Sequence, residues 1–202
     1  MAKTDIPQTR MMAFQMNQDT EQKRIESDFY VEGYATTFEP YVLFHDDNGN
    51  PIYERISPQA FDGARMDDVI LQYDHEGRVF ARQSNGTLGL EVNDKGLFVW
   101  ADLSKTEGAR QLYEDIRSGM VNKMSWRFLI APNGDTFDAS SRTFVVNKVS
   151  DVFDVSAVSI PANNQTSISA RKKNIEELEA KVKKAQELKR KKLELKLKLG
   201  GL

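Results

Sequence analysis

Residues 120–130, MVNKMSWRFLI, decide the fold. Met124, Trp126, Phe128 and Ile130 fall on one side of an alternating pattern, and Lys123, Ser125, Arg127 and Leu129 fall on the other. A period of two is what a strand shows when one face lies on a core. Ser125 therefore points away from the large aromatics. An apolar residue or Thr is the usual occupant of a mid-strand position, so a hydroxyl there calls for a reason. A bond to a neighbouring strand, or simple exposure to water, is the ordinary one.

Working outward, residues 104–119 read as a helix feeding this strand. Ser104 and Glu107 have capping-box spacing, Ala109, Leu112, Tyr113 and Ile116 make one apolar stripe, and Gly119 stands where a left-handed cap belongs. Upstream, 29–38 (FYVEGYATTF), 69–73 (VILQY), 87–92 (TLGLEV) and 97–103 (LFVWADL) read as strands, the last two joined through Asn93-Asp94-Lys95-Gly96. Downstream, Pro132-Asn133-Gly134-Asp135 supplies a turn. Strands at 143–149 and 152–159 follow, closed by Ile160-Pro161-Ala162. These elements predict an α+β, β-rich fold: a small closed barrel-like sheet of about seven strands, at least one internal helix, and a C-terminal charged helix.

A length of 202 residues, 40% of them hydrophobic and 29% charged, suits one domain with an appendage. The expected division is a polar N-terminal extension at 1–28, a domain at 29–166 and a basic helical tail at 167–202. The extension lacks the apolar core of a signal peptide. No run approaches the roughly 18 apolar residues of a membrane span, so no membrane partner is expected. Cysteine is absent, which excludes a thiol nucleophile, disulfides and thiolate metal sites. The net charge of −2 conceals an asymmetry: residues 171–202 hold 12 Lys/Arg against 5 Asp/Glu, and residues 1–170 hold 16 against 25. A basic tail on an acidic body points to an anionic partner for the tail. Lys-rich segments bind nucleic acid nonspecifically, but Leu interleaving and the tail's glutamates argue against that as the main function, and no specific nucleic-acid partner is expected.

Only two histidines exist, so chemistry needing an imidazole at neutral pH must use His45 or His75. His45 lies in LFHDDNGNP, among turn formers, and reads as a solvated loop residue. His75 follows VILQYD directly, at a strand end where a rigid frame can present it. Serine needs an adjacent base to accept its proton, and that base needs a third group to fix its tautomer. Asp154 in DVFDVSAVS can supply the third group, and Asp151 competes for the role. Metal catalysis is disfavoured: there is no HExxH, and the loop Asp46-Asp47-Asn48-Gly49-Asn50 has Ser57 where a calcium loop carries its terminal Glu. No Gly-rich phosphate loop appears and no cofactor is expected. Paired-carboxylate glycosidase chemistry has nothing in its favour.

An ordered series of segments carries a family resemblance: VEGYATTF, ERISPQAFD (54–62), YDHEG around His75, NGTLGLEVNDKGLFVWADL, TEGARQLYEDIRSGMVNKMSWRF and FDVSAVSIPAN. From about Phe29 to Thr166 the chain resembles the prohead proteases of tailed phages, serine proteases distantly similar to herpesvirus assemblins. The resemblance implies Ser125 as nucleophile, His75 as general base and Asp154 as the group that orients His75. Arg127 stands where the family often has a small residue, and Gln59 replaces a common Gly. Two positions along the strand from Ser125, roughly 7 Å by strand rise, Arg127 is a candidate substrate or oxyanion contact, or a solvated surface residue.

The implied function is a serine endopeptidase that processes the major capsid protein or its scaffold segment, inside the assembling procapsid in the host cytoplasm. Autoprocessing near 165–202, association with portal and procapsid, and a homo-oligomer are expected with it. The competing reading is a non-catalytic capsid scaffold or assembly module.

Overall fold

The computed structural model describes residues 7–13, 23–159, 184, 187–191 and 194. Its strands are β1 (Gln8–Ala13), β2 (Tyr30–Thr37), β3 (Tyr41–His45), β4 (Pro51–Ile56), β5 (Ile70–Tyr73) and β6 (Glu76–Arg82), followed by β7 (Leu88–Val92) and β8 (Gly96–Asp102). After helix α1 (Glu107–Arg117) come β9 (Lys123–Ile130), β10 (Asp135–Asp138), β11 (Thr143–Val146) and β12 (Val149–Val158).

The expected β-rich core is present, but the described residues form no closed barrel and have more strands than the expected seven. They make three sheets, ordered β1-β9-β12-β5-β6, β10-β11-β4-β3 and β2-β8-β7. Closure fails where the chain changes sheet. Between β6 and β7 it makes a 3₁₀ turn, Gln83–Asn85, and passes Gly86 at φ +76°, which ends one ladder before the next begins. The added strands are ones whose sequence hides the pattern. Gln8–Ala13 lies in the stretch read as a polar extension, yet pairs antiparallel with β9. In β3 the apolar Val42 faces out, in β4 the charged Glu54 faces in, and β6 is exposed over its first four residues.

The core faces are those the alternation predicts: Met124, Trp126, Phe128 and Ile130 are all buried. The Trp126 and Phe128 rings stack with centroids 3.8 Å apart, and the Phe61 ring tilts against Trp126. Helix α1 adds Ala109, Leu112 and Ile116 to the same cluster. Its cap differs from the capping box expected at Ser104. Thr106 is the N-cap, accepting from the Ala109 amide at 3.1 Å, and Ser104 lies two residues upstream with its amide bonded to Asp102. Gly119 at φ +79° ends the helix as expected, its amide donating to the Ile116 carbonyl. Within the tail, positions 184, 187–191 and 194 are helical. The predicted helix as a whole lies outside the described residues, as do Ile160, Pro161 and Ala162.

Asp102 clamps the start of the domain to the β8–α1 connection. Its carboxylate accepts from the Ser27 hydroxyl (2.5 Å) and the Ser104 amide (3.0 Å) and pairs with Lys105 (3.0 Å). Burial alone would raise this acid, but the bonds from Ser27, Ser104 and Lys105 prevail and hold it at about 2, below the ordinary 3.8. Because the folded pKa is depressed, the stabilisation is complete above the unfolded pKa, near 4, and is lost as pH falls through 2. We expect urea unfolding at pH 7 to find Asp102→Asn less stable than wild type by roughly 2 kcal/mol. The gap should close between pH 4 and 2; a gap constant across that range would refute this account.

Candidate active site

Two adjacent strands and one hairpin tip build the site. In the antiparallel β9–β12 ladder Ser125 stands opposite Ser156 and Arg127 opposite Asp154, so these four side chains share one face. On the other face Trp126 is opposite Val155 and Met124 opposite Ala157, all buried in the core. The register slips between Val152 and Asp154, where Phe153 is the extra residue and stands 37% exposed. Asp151, opposite Leu129, lies on the same face one pair farther along, and it is held by an ion pair to Arg65. Strict alternation from Asp151 would have put Phe153 on the site face and Asp154 in the core. The bulge reverses that.

His75 arrives from the two-residue turn between β5 and β6. Asp74 (φ +49°) and His75 (φ +61°) both have left-handed backbones, the pattern of a type I′ hairpin, which Asp and His tolerate better than most residues. The turn is tied down on three sides. The Asp74 amide donates to the Ala157 carbonyl (3.0 Å), the His75 amide to Ser156 Oγ (3.1 Å), and Ser159 donates to the Asp74 carboxylate through its amide and hydroxyl (both 3.2 Å).

With the turn so held, His75 Nε2 lies 2.6 Å from Ser125 Oγ, and Nδ1 is hydrogen-bonded to Asp154 Oδ1. An ionised carboxylate only accepts, so Nδ1 carries the proton and Nε2 of the neutral ring is left as the acceptor facing the serine hydroxyl. That hydroxyl has a second acceptor in reach, the Arg10 carbonyl at 3.0 Å. Asp154 is buried but not unpaired: Ser156 Oγ donates to Oδ1 (3.0 Å), and Arg127 Nε lies 3.2 Å from Oδ2. Arg127 also donates from Nη2 to the His75 carbonyl at 2.6 Å. It thus grips the histidine and the aspartate together.

The structure brings together Ser125, His75, Asp154 and Arg127. It does not bring in His45, which is exposed at the end of β3, or Asp151. Ser156 was not singled out by the sequence, although its position two residues after Asp154 on a strand was a usable signal. Arg10 and Glu54 were missed as well, and nothing in a polar N-terminal stretch marks Arg10 for burial. Among the described residues no cluster of His, Cys, Asp or Glu is suited to a metal ion. The loop at 46–50 is instead closed on itself, Asp46 Oδ1 accepting from the amides of Asn48 (2.9 Å) and Asn50 (2.8 Å).

A hydroxyl, an imidazole and a carboxylate in series, on a rigid β frame, are the working parts of a serine hydrolase. The sequence model of the caudovirus prohead serine protease family matches residues 16–181, and the chain belongs to that family. Its members are serine peptidases of capsid maturation, which makes this chain a hydrolase of that class. No match is found among curated proteins or among solved structures.

The bulge assigns the histidine's partner uniquely. In proton NMR, the Nδ1–H of His75 should resonate downfield of the amide region, remain in Asp151→Asn and shift or vanish in Asp154→Asn. The reverse pattern would show that the register slip is wrong.

Proposed function

We propose that the chain is a serine endopeptidase that cleaves the major capsid protein, or its scaffold segment, inside the assembling procapsid, with Ser125 as nucleophile, His75 as general base and Asp154 orienting the imidazole. The observation that carries this reading is the 2.6 Å separation of His75 Nε2 from Ser125 Oγ, with Nδ1 already committed to Asp154. His75 takes the hydroxyl proton as Ser125 Oγ attacks the peptide carbonyl, then returns that proton to the leaving amine. Water repeats the sequence to free the acyl group. Asp154 keeps Nδ1 protonated and stabilises the imidazolium that forms. Arg127 is a positioning residue rather than a substrate contact, because its donors are directed at the His75 carbonyl and at Asp154.

In this reading residues 29–166 are the protease domain, while 167–202 is a basic tail that docks on acidic scaffold and is removed by the enzyme itself. Portal association and a homo-oligomer complete the procapsid setting. Among the described residues no helix is long and apolar enough to cross a membrane.

Co-expression with the capsid protein tests the assignment. Wild type should cleave it and Ser125→Ala should not, while His75→Ala should lose at least ~10²-fold in rate. His45→Ala should change little. Capsid cleavage that survives Ser125→Ala would overturn the proposal, and an intact substrate with wild type would favour the non-catalytic scaffold.

A further inference from the structure

Ser125 is only 1% exposed, and the chain's own N-terminal strand pairs along β9 on the side away from β12. β1 is the outer strand of its sheet, laid antiparallel on β9 with Met11 opposite Ser125. An extended peptide added to the edge of a sheet is a recurring way of binding polypeptide ligands, in which backbone bonds give affinity and side-chain pockets give selectivity. Here the Ser125 hydroxyl donates to the Arg10 backbone carbonyl oxygen at 3.0 Å, which places that peptide group beside the nucleophile.

The Arg10 side chain occupies a closed acidic pocket. Glu54, on β4 and 0% exposed, receives its guanidinium through both carboxylate oxygens: Nε bonds Oε1, and Nη2 is 3.0 Å from Oε2. The Tyr41 hydroxyl donates to the same carboxylate, and the guanidinium lies 5.7 Å from the centre of the Phe128 ring. Burial works against the Arg10 charge, but attraction and hydrogen bonding from Glu54, and then from Tyr41, prevail and keep its pKa above the ordinary guanidinium value. The two-pronged geometry matches a guanidinium fork, and an ammonium can use it as a point charge.

We propose that β1 sits in the substrate cleft, that Glu54 is the residue selecting a basic side chain immediately before the cleaved bond, and that Arg10–Met11 is the first bond presented to Ser125. This rests on the serine endopeptidase reading above. In the cleavage, Ser125 Oγ bonds to the Arg10 carbonyl carbon and the bond to the Met11 nitrogen breaks. His75 carries the serine proton to that nitrogen, which leaves as the new amino terminus. Water then adds to the ester, His75 returns its proton to Ser125 Oγ, and residues 1–10 are released with a carboxylate on Arg10. External substrates are polypeptides cut after Arg or Lys, and they gain the cleft once β1 has left it.

Intact-mass measurement of the full chain, with fluorogenic peptides differing only before the scissile bond, tests this. Wild type should yield a chain beginning at Met11, and Ser125→Ala should keep residues 1–10. Arg10→Glu, repelled by Glu54, should block that cut and speed fluorophosphonate labelling of Ser125. Peptides with Arg or Lys should be cleaved at least ~10²-fold faster than those with Glu, by the cost of an unpaired buried charge. Glu54→Gln should collapse that ratio, which is read within one preparation so that loss of folded protein cancels. If Ser125 labels and capsid protein is cut, but no Met11 terminus forms and Arg and Glu peptides are cleaved alike, the assignment of β1 and Glu54 is wrong and the endopeptidase stands. If Ser125 neither labels nor cleaves anything, both readings fall.

Discussion

The antiparallel pairing of β9 with β12, and above all its register shift at Phe153, is the constraint on which the rest depends. A one-residue slip in a strand exchanges its two faces. Without the bulge, Trp126 and Val155 could not share the core while Ser125 and Ser156 share the site. The bulge satisfies both demands: the apolar set stays buried, and the polar set of Ser125, Arg127, Asp154 and Ser156 lines up on the opposite side. Exposure of Phe153 is the cost, since the extra residue has no place in either face.

The other edge of β12 locates the histidine. β5 runs parallel to β12, with Asp154 beside Ile70 and Ala157 beside Tyr73, so the β5–β6 turn emerges directly over the polar face. Two left-handed residues in succession are unfavourable unless the surroundings hold them. Here Ser156 and Ala157, from the end of β12, and Ser159, just past it, bond to the turn. β12 therefore contributes both the carboxylate and the anchor of the imidazole.

Buried charge explains the composition of this face. Asp154 is nearly inaccessible, and a carboxylate in that position is tolerated only when its lone pairs are met. His75, Ser156 and Arg127 meet them. Glu54 follows the same rule on the neighbouring sheet, where Arg10 and Tyr41 share its carboxylate. Two of the buried acids among the described residues thus meet opposite demands, Asp154 turned toward the histidine and Glu54 toward the Arg10 side chain.

By itself the sequence determined what local periodicity and turn chemistry can determine. The β-rich core, the core face of 123–130, the stripe and glycine end of α1, the 93–96 hairpin and the restriction to two histidines were all legible, because each rests on residues close in the chain. The ordered segments around His75 and Ser125 carried the family. Tertiary structure alone decided the rest. A bulge depends on the partner strand, so local alternation left Asp154 and Asp151 in competition beside His75, and only the family resemblance favoured Asp154. Ladder ends depend on non-local pairing, so three sheets could not be told from a barrel. Burial of Arg10 depends on Glu54, forty-four residues away, and a polar segment reads as solvated until its counter-charge is placed beside it.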